Sequence, residues 1–466
     1  MKKHILLLTS IAIFNCAQAQ VIDKRTWSWY FGSTVAIKFT SQTLPPVPVA
    51  TSTMSANEGS SAISDSAGNI LFYTDGQQAW GRNNMVMPNG TGLKGHFWSA
   101  QSGLLVPMPG SNTLFYLFTV NNWSDPATEL NYSVIDKTLN GGFGDITSQK
   151  NVLVNSNCRE HLTAAYHANG EDIWILSHEY GNNNFVAYLL TSQGLNMTPV
   201  VSPAGTFWES WNRFGYLKVS PQCNKIVSVV GGDAFNMPDT TVQVCDFNNT
   251  TGMVSHAVTL ADYNAIPMAY GCEFSPDNTK LYVTEFNGTG IFQFDLSDPN
   301  PASTMTNVAT ALNVKASLVL GPDGKIYVSE QSLMQLGTIE FPDVTGMGCT
   351  FIDNSVILPA GVNTIGSCNV FRNCPNTTSI FSLTGSHEFM NVFPNPVNSI
   401  LTVSSSEKIN RLKISDVTGR IAFESQTGTV SNLLSYKIDV SNFSKGIYFL
   451  QADVNGKTFV KKIMME

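Results

Sequence analysis

Six stretches of this 466-residue chain repeat one pattern, in which an apolar strand, a short polar turn and a second strand rich in aromatic residues follow one another. The clearest copies are FSPDNTKLYVTE at 274–285 and GPDGKIYVSE at 321–330. Looser copies occupy 61–76, 103–120, 162–179 and 215–230. Each copy predicts a hairpin, because Pro, Asp, Asn and Gly between alternating apolar runs favour tight turns. We expect Gly324 to take the left-handed position of its turn.

The spacing of the repeats predicts the fold class. The second strands of successive hairpins begin 44 to 59 residues apart, and two further strand-like runs follow each hairpin. Four strands in a period of roughly 40 to 50 residues are typical of one blade of a β-propeller. The sequence therefore predicts an all-β chain in which residues 20–375 form a propeller.

Two strand-like remnants decide how many blades we expect. One covers 27–39, before the first repeat, and the other is SCNVFRN at 367–373, after the last. A ring closes when a late strand joins an early sheet, since closure removes exposed sheet edges. The remnants favour seven blades over six, with the strand near Asn369–Phe371 pairing into the sheet that begins at Trp27–Phe39.

The start of the chain predicts export. Residues 1–19 have a basic beginning, an apolar stretch and an Ala-Gln-Ala ending, which is the pattern of a cleaved secretory signal peptide. Cys16 raises lipid attachment as an alternative, although Phe14 and Asn15 before it fit that use poorly. No later stretch is long and apolar enough for a membrane span. The net charge of -8 argues against a nucleic-acid partner.

Seven cysteines remain after the signal peptide, and an odd number leaves at least one thiol free. Cys368 and Cys374 close a short loop and are our disulfide candidates. Cys223 and Cys245 would lie nearly opposite each other in a hairpin, and buried free thiols are an equal alternative for that pair. No cysteine or histidine spacing predicts zinc, and we expect neither a metal nor a cofactor.

The last 91 residues follow a different pattern. Residues 376–389 are rich in Ser and Thr and lack the blade rhythm, which predicts a linker. Residues 390–466 alternate apolar and polar residues over short strands that are separated by Asn-Pro, Thr-Gly, Lys-Gly and Asn-Gly turns. This pattern predicts a small immunoglobulin-like β-sandwich.

The tail contains, in order, the motifs Phe-Pro-Asn-Pro at 393–396, Thr-Gly-Arg at 418–420, Lys-Gly-Ile-Tyr at 445–448 and Lys-Lys at 461–462. Together they resemble the type A C-terminal sorting domain of the type IX secretion system. The resemblance implies passage through the periplasm, recognition of the tail by the secretion machinery at the outer membrane, and then release or attachment at the cell surface. The motif residues are Pro394, Asn395, Pro396, Gly419, Gly446, Tyr448, Lys461 and Lys462.

The propeller region contains the pieces WYFG, SDSAGNILFYTDG, VMPNGTGL, KTLNGGFGD, LTAAYHANGEDIWILSHE and GPDGKIYVS. With these pieces it resembles uncharacterised propeller regions of proteins secreted by Bacteroidetes. These pieces cover most of residues 27–371. The resemblance implies a fold, and it carries no assigned activity.

The candidates for a binding site are aromatic and polar residues in the loops between strands. Exposed Trp rings offer apolar faces with polar rims, which suit contacts with sugars or proteins. Glu160 and His161 begin the polar run that ends in His178 and Glu179, but strand geometry separates its members too far for one metal site. The candidate ligand-binding residues are Trp98, Trp123, Glu160, His161, Trp208 and Trp211.

No motif of a known catalytic class is present, and the catalytic residues stay unassigned. Carboxylates that could act as acid and base stand in loops, at Glu58, Asp75, Glu160 and Glu209, but sequence alone cannot pair them. The main hypothesis is an exported propeller that binds a glycan, a polymer or a protein. The alternatives are a hydrolase or lyase acting on extracellular polysaccharide, and a purely structural role in adhesion.

Overall fold

The computed structural model describes most of the chain after residue 22. The predicted signal peptide 1–19 and linker 376–389 lie outside the described residues. The described ranges are 23–49, 52–122, 128–207, 213–232, 240–286, 288–309, 315–330, 332–358, 366–374, 390–393, 397–416, 420–425, 433–454 and 457–465.

The chain divides into two compact units, Met1–Phe381 and Ser382–Glu466. Strands dominate both units, in agreement with the predicted all-β class. In the first unit the strands that the structure describes form seven separate sheets, and the prediction of seven blades is confirmed.

The first two sheets contain the beginning of the chain. The first has three strands: β1 (Ser28–Phe31), β2 (Val35–Lys38) and β3 (Val47–Pro48). The second has β4 (Ser60–Ser64), β5 (Ile70–Thr74) and β6 (Ala79–Gly81), and a late strand joins it.

Two five-stranded sheets follow. The third sheet comprises β7 (Gly103–Pro107), β8 (Leu114–Val120), β9 (Leu130–Asp136), β10 (Asp145–Ile146) and β11 (Val152–Asn155). The fourth comprises β12 (Thr163–Tyr166), β13 (Ile173–His178), β14 (Asn184–Thr191), β15 (Gly194–Leu195) and β16 (Val200–Pro203).

Three more sheets complete the ring. The fifth has β17 (Arg213–Phe214), β18 (Leu217–Val219), β19 (Lys225–Gly232), β20 (Thr241–Asn248) and β21 (Met253–Asp262). The sixth has β22 (Ala269–Phe274), β23 (Lys280–Glu285), β24 (Ile291–Asp295) and β25 (Thr306–Asn307). The seventh has β26 (Lys315–Leu320), β27 (Ile326–Glu330), β28 (Gln335–Ile339) and β29 (Phe351–Ile357).

The repeated hairpins of the sequence are the two inner strands of each blade from the second sheet to the seventh. Their first strands, β4, β7, β12, β18, β22 and β26, contact one another in that order around the axis. Trp29 packs edge-on against Tyr327 of the last blade, with ring centroids 5.6 Å apart, and closes the circle. Buried apolar side chains fill the space between neighbouring blades. We call the end at which these inner strands begin the top end, and the other the bottom end.

The late strand β30 (Cys368–Asn369) returns to the early sheets, but not to the one we predicted. Its ladder is parallel and pairs Cys368 with Ser60 and Asn369 with Ser61, in the second sheet. The predicted pairing into the sheet of Trp27–Phe39 is therefore wrong. β4 is the edge strand of the second sheet that faces the axis, and β30 pairs with its free edge.

The predicted disulfide between Cys368 and Cys374 is also wrong. Cys374 bonds Cys223, with their Cα atoms 5.6 Å apart, and Cys368 is a buried free thiol, as are Cys245 and three others among the described residues. The segment between Cys368 and Cys374 is extended along the axis. At ~3.3 Å per extended residue, this separates the two sulfurs far beyond bonding distance.

The turn at Gly324 is as predicted, with φ of 79° and a hydrogen bond from its N–H to the Gly321 carbonyl. A Cβ at Gly324 would meet only Pro276 Cγ, 3.9 Å away, so a substitution there tests backbone strain alone. We expect Gly324→Val to lower the free energy of unfolding by ~1 to 2 kcal/mol. Gly324→Asn is the control, because Asn278 holds the same turn position in the preceding blade at φ of 66°. Equal losses for the two variants in thermal unfolding would contradict this interpretation.

The second unit is a small sandwich built around one long strand, β32 (Ile400–Asp416). Its first half pairs with β31 (Met390–Phe393) and β34 (Leu433–Asp439), and its second half pairs with β33 (Ile421–Glu424) and β35 (Gly446–Val454). β36 (Lys457–Met465) pairs with β35 along its whole length. Buried residues of both halves, such as Leu401, Leu412 and Leu450, form one apolar core.

Candidate functional site

The nine residues Gly366–Cys374, which we call the axial segment, occupy the centre of the ring from top to bottom. At the top, Ser60 N–H donates to the Ser367 carbonyl over 3.4 Å, and a Cβ on Gly366 would lie 2.0 Å from the backbone of Glu58. Only glycine therefore fits where the segment enters the ring. The segment fills the central channel below the top end. A ligand that binds at the top end therefore contacts protein there and not an open channel.

Asn369 fastens the upper part of the axial segment to three blades. Its side-chain N–H groups donate to the carbonyls of Leu162 at 2.8 Å and Gly103 at 3.4 Å, and its backbone carbonyl accepts from Ser61 Oγ at 2.8 Å. Gln101 lies beside it and bridges two blades, because its Oε1 accepts from the Leu217 N–H at 2.9 Å. These amides satisfy backbone groups at the centre of the ring that have no strand partner.

The lower part of the axial segment ends in a buried ion network. The Arg372 guanidinium pairs with Glu273, whose other oxygen accepts from Lys218 Nζ at 3.1 Å. Glu273 is fully buried and also accepts from the Leu320 N–H at 3.0 Å. Burial raises the pKa of Glu273, but the charges of Arg372 and Lys218 outweigh it and hold that pKa below its usual value. Glu273 therefore stays ionised and binds the segment electrostatically.

Glu58 lies at the top end, where the chain enters β4. The Tyr270 hydroxyl donates to its Oε2 over 3.1 Å, and the two residues are 212 positions apart in the sequence. Tyr216 packs edge-on against Tyr270, with ring centroids 5.3 Å apart. Burial raises the pKa of Glu58 to about 8, although the hydrogen bond from Tyr270 opposes the shift. At neutral pH most Glu58 side chains are therefore protonated and uncharged.

Glu160 and His161, two of the predicted ligand-binding residues, are buried at the same end. Glu160 Oε2 accepts from the Ala100 N–H at 2.7 Å, and Glu160 has the left-handed φ of 56°. His161 Nε2 donates to the Val229 carbonyl over 3.0 Å. Burial lowers the pKa of His161 to about 3, so the ring is neutral. These bonds tie neighbouring blades together and leave neither side chain exposed.

The other acidic group of the predicted polar run is a half-buried carboxylate held by amides. Glu179 accepts from the side chains of Asn155 at 3.0 Å, Asn182 at 2.8 Å and Asn184 at 3.0 Å. Burial raises its pKa, and these hydrogen bonds lower it further than burial raises it. Within the described residues, no group of three or more His, Cys, Asp and Glu side chains is arranged to hold a metal ion.

The predicted aromatic residues divide into one that is described and three that are not. Trp98 is 43% exposed at the top end, and Phe97 beside it is 39% exposed. The rings of His96 and Phe97 stack at 4.6 Å, and Phe97 and Trp98 lie 5.2 Å apart. We call these three residues the aromatic shelf. The other three candidates, Trp123, Trp208 and Trp211, lie outside the described residues.

The sequence did not identify three residues at the centre of the ring as part of the site: Tyr216, Tyr270 and Asn369. All three stand in or next to strands that read as core, and nothing local marks them as partners of distant loops. Glu58 was among the loop carboxylates, but its partner could not be identified without the ring.

In the tail, the structure describes part of the predicted sorting motif. Gly446 has φ of 147°, and the hydroxyl of the buried Tyr448 donates to the Ser444 carbonyl over 3.0 Å. Lys461 is half-buried, and the backbone of Lys462 pairs with Phe449. Pro394, Asn395, Pro396 and Gly419 lie outside the described residues.

Comparison with known families identifies the tail. Residues 391–466 match the secretion system C-terminal sorting domain. The tail therefore marks the chain for type IX export to the cell surface or the extracellular space, and the secretion machinery is its partner. In the part of the chain that the structure describes, no helix has the length and apolar character that a membrane crossing requires.

No curated protein matches the sequence. Among solved structures, a luciferin-regenerating enzyme is 14% identical (76% of this chain, 98% of that chain, TM-score 0.36). Hydrazine synthase of Kuenenia stuttgartiensis is 9% identical (76% and 92%, TM-score 0.41). The periplasmic gluconolactonase PpgL of Pseudomonas aeruginosa is 11% identical (76% and 97%, TM-score 0.34). These distant likenesses carry no argument about chemistry.

The state of Glu58 makes stability depend on pH. Because the pKa of Glu58 is about 8 in the folded chain and that of an exposed glutamic acid is 4.5, folding favours the protonated form. Its stabilising contribution is complete below pH ~4.5 and is lost as the pH rises towards 8, by up to ~5 kcal/mol. We expect Glu58→Gln, which keeps the hydrogen bond and cannot ionise, to match wild type at pH 4.5 and to exceed it increasingly up to pH 9.

The measurement is the difference between the unfolding free energies of Glu58→Gln and wild type at each pH. Buried His161 and His178, whose pKa values burial lowers to about 3 and about 4, act in the opposite direction below pH 6.5 in both proteins. A constant difference between pH 4.5 and 9 would show that Glu58 ionises normally in the folded chain.

Proposed function

We propose that the propeller is a surface-displayed or released binding protein that recognises a glycan through the top end of the ring. The observation that carries the proposal is the aromatic shelf, where Phe97 and Trp98 keep about two fifths of their surface in water. Exposed apolar groups that lie side by side mark binding surfaces, whereas apolar residues exposed singly are ordinary. Polar groups border the shelf, as in the Lys94–Glu129 ion pair at 2.7 Å.

The axial segment supports a site on the rim of the ring. A ligand cannot enter the centre, because Ser367 and Asn369 already occupy it. Flat aromatic faces outside the centre suit the apolar face of a sugar ring, which stacks on aromatic side chains while its hydroxyls bond to polar neighbours.

The alternative of a polysaccharide hydrolase or lyase has less support. Such an enzyme needs acid and base groups that touch the substrate. Glu58 and Glu160 converge at the top end with Tyr270, but they are 6%, 1% and 0% exposed. Their hydrogen bonds join blades, and no substrate atom reaches them in this arrangement.

A glycan array tests the proposal. We expect the full chain to bind a defined set of glycans, and Phe97→Ala/Trp98→Ala to weaken that binding at least tenfold, because each stacked ring contributes ~1 kcal/mol or more. Phe341→Ala is the matched control, since Phe341 is 37% exposed at the bottom end. A blank array combined with retained binding to whole cells would point to a protein ligand. Equal losses in the shelf variant and the control would reject the shelf.

A further inference from the structure

In each hairpin turn at the bottom end, one residue has the left-handed backbone conformation. This residue is Gly or Asn in five blades and cysteine in one. In the fifth blade this position is Cys223, with φ of 52°. Cysteine has a Cβ that resists this conformation, whereas Gly tolerates it fully and Asn tolerates it better than other residues. The five sibling positions are Gly68, Gly110, Gly170, Asn278 and Gly324.

Backbone strain of this kind persists where the surroundings hold it in place and often marks a functional position. At Cys223 the holding element is the disulfide to Cys374, which joins residues 151 positions apart. Cys374 is the last residue of the axial segment. The unusual residue in the turn therefore fixes the lower end of that segment to the ring.

Few other backbone contacts hold the lower end. The strand ladder of the segment covers only Cys368 and Asn369, near the top. Below it, Arg372 donates its N–H to the Ala164 carbonyl at 2.8 Å and accepts from the Tyr166 N–H at 3.1 Å. The buried Arg372–Glu273 ion pair holds the side chain of Arg372, and the disulfide is the covalent tie at Cys374.

We propose that the Cys223–Cys374 bond is an oxidative lock on the axial segment. When the two thiols are oxidised, they lose two protons and two electrons to a protein or small-molecule disulfide, which becomes a dithiol, and the segment is fixed. When a reducing thiolate attacks the Cys374 sulfur, Cys223 leaves as thiolate and takes up a proton. A second thiol of the reductant then resolves the mixed disulfide, and the backbone hydrogen bonds of Arg372 to Ala164 and Tyr166 open more often while the blades stay folded.

The exposure of the cysteines makes this bond selective. Cys374 is half-buried, whereas the other cysteines that the structure describes are buried. Cys245 shares an apolar cluster with Cys223 and Cys374 and is the nearest rival in the fold. Burial raises the pKa of Cys245 to about 12, so its thiolate is scarce and the bond does not shuffle to it.

Hydrogen exchange on the full chain tests the lock. In the oxidised protein we expect the amides of Arg372 and Tyr166 to exchange as slowly as those of the neighbouring inner strands. After treatment with tris(2-carboxyethyl)phosphine they should exchange at least tenfold faster than those strands, and oxidised glutathione should restore the original ratio. An unchanged ratio between axial and blade amides in the reduced protein would overturn the proposal.

Two variants test the lock by hydrogen exchange without relying on a reductant. Cys223→Gly/Cys374→Ser deletes the bond and gives the turn a residue that suits its φ, so we expect a folded protein with the fast axial exchange of the reduced form. Cys245→Ser should behave as wild type, with or without reductant. Slow axial exchange in the double variant, or fast axial exchange in the oxidised Cys245→Ser protein, would show that the bond does not lock the segment.

Discussion

Deletion of residues 366–374 should abolish the single cooperative unfolding transition of the propeller. The deletion removes a disulfide that constrains about 150 residues of unfolded chain, worth ~5 kcal/mol in the chain-entropy account. It also strips Arg372 from the buried Glu273, and breaking a buried ion pair costs ~3 to 5 kcal/mol. Together these losses approach the ~5 to 15 kcal/mol that stabilises a typical domain.

Calorimetry and urea unfolding of the exported protein measure this effect. The matched control deletes nine residues, 377–385, from the predicted linker, and it should unfold like wild type. Arg372→Met separates the two contributions, because it keeps the disulfide and removes the ion pair together with the hydrogen bond from Arg372 Nε–H to the Val219 carbonyl. A propeller without residues 366–374 that unfolds at the wild-type midpoint would show that the ring is closed by its blades alone.

Removal of residues 387–466 should stop the protein from reaching the cell surface while the propeller still folds. Residues 391–466 match a secretion sorting domain, and the chain divides into two compact units at 381–382. Units with separate cores usually fold independently. We expect the truncated protein to accumulate in the periplasm with the propeller's own melting temperature.

Fractionation and surface proteolysis of cells measure this distribution. In the reciprocal experiment, residues 387–466 fused to an unrelated exported protein should carry it to the surface. A truncated chain that still appears at the surface, or a fusion that stays in the periplasm, would contradict the role of the tail. A truncated chain that fails to fold would instead contradict the independence of the two units.

Trp98, Glu160 and His161 show how much of the candidate site could be predicted from the sequence. Trp98 could be identified because an aromatic residue among polar loop residues is a local signal, and it is exposed. Glu160 and His161 gave an equally local signal, but the fold buries them between blades. A sequence shows which residue types stand in a loop, but the packing of the neighbouring blade decides whether that loop faces water.

The sequence by itself determined the blades and the export route and favoured seven blades over six, because hairpin turns, strand alternation and the tail motifs lie in consecutive residues. Only the tertiary structure decided the course of residues 366–374, the partner of Cys374 and the contact of Glu58 with Tyr270. Each of these joins residues more than 100 positions apart. Such contacts depend on which inner strands become neighbours around the axis, and no local pattern of residues specifies those neighbours.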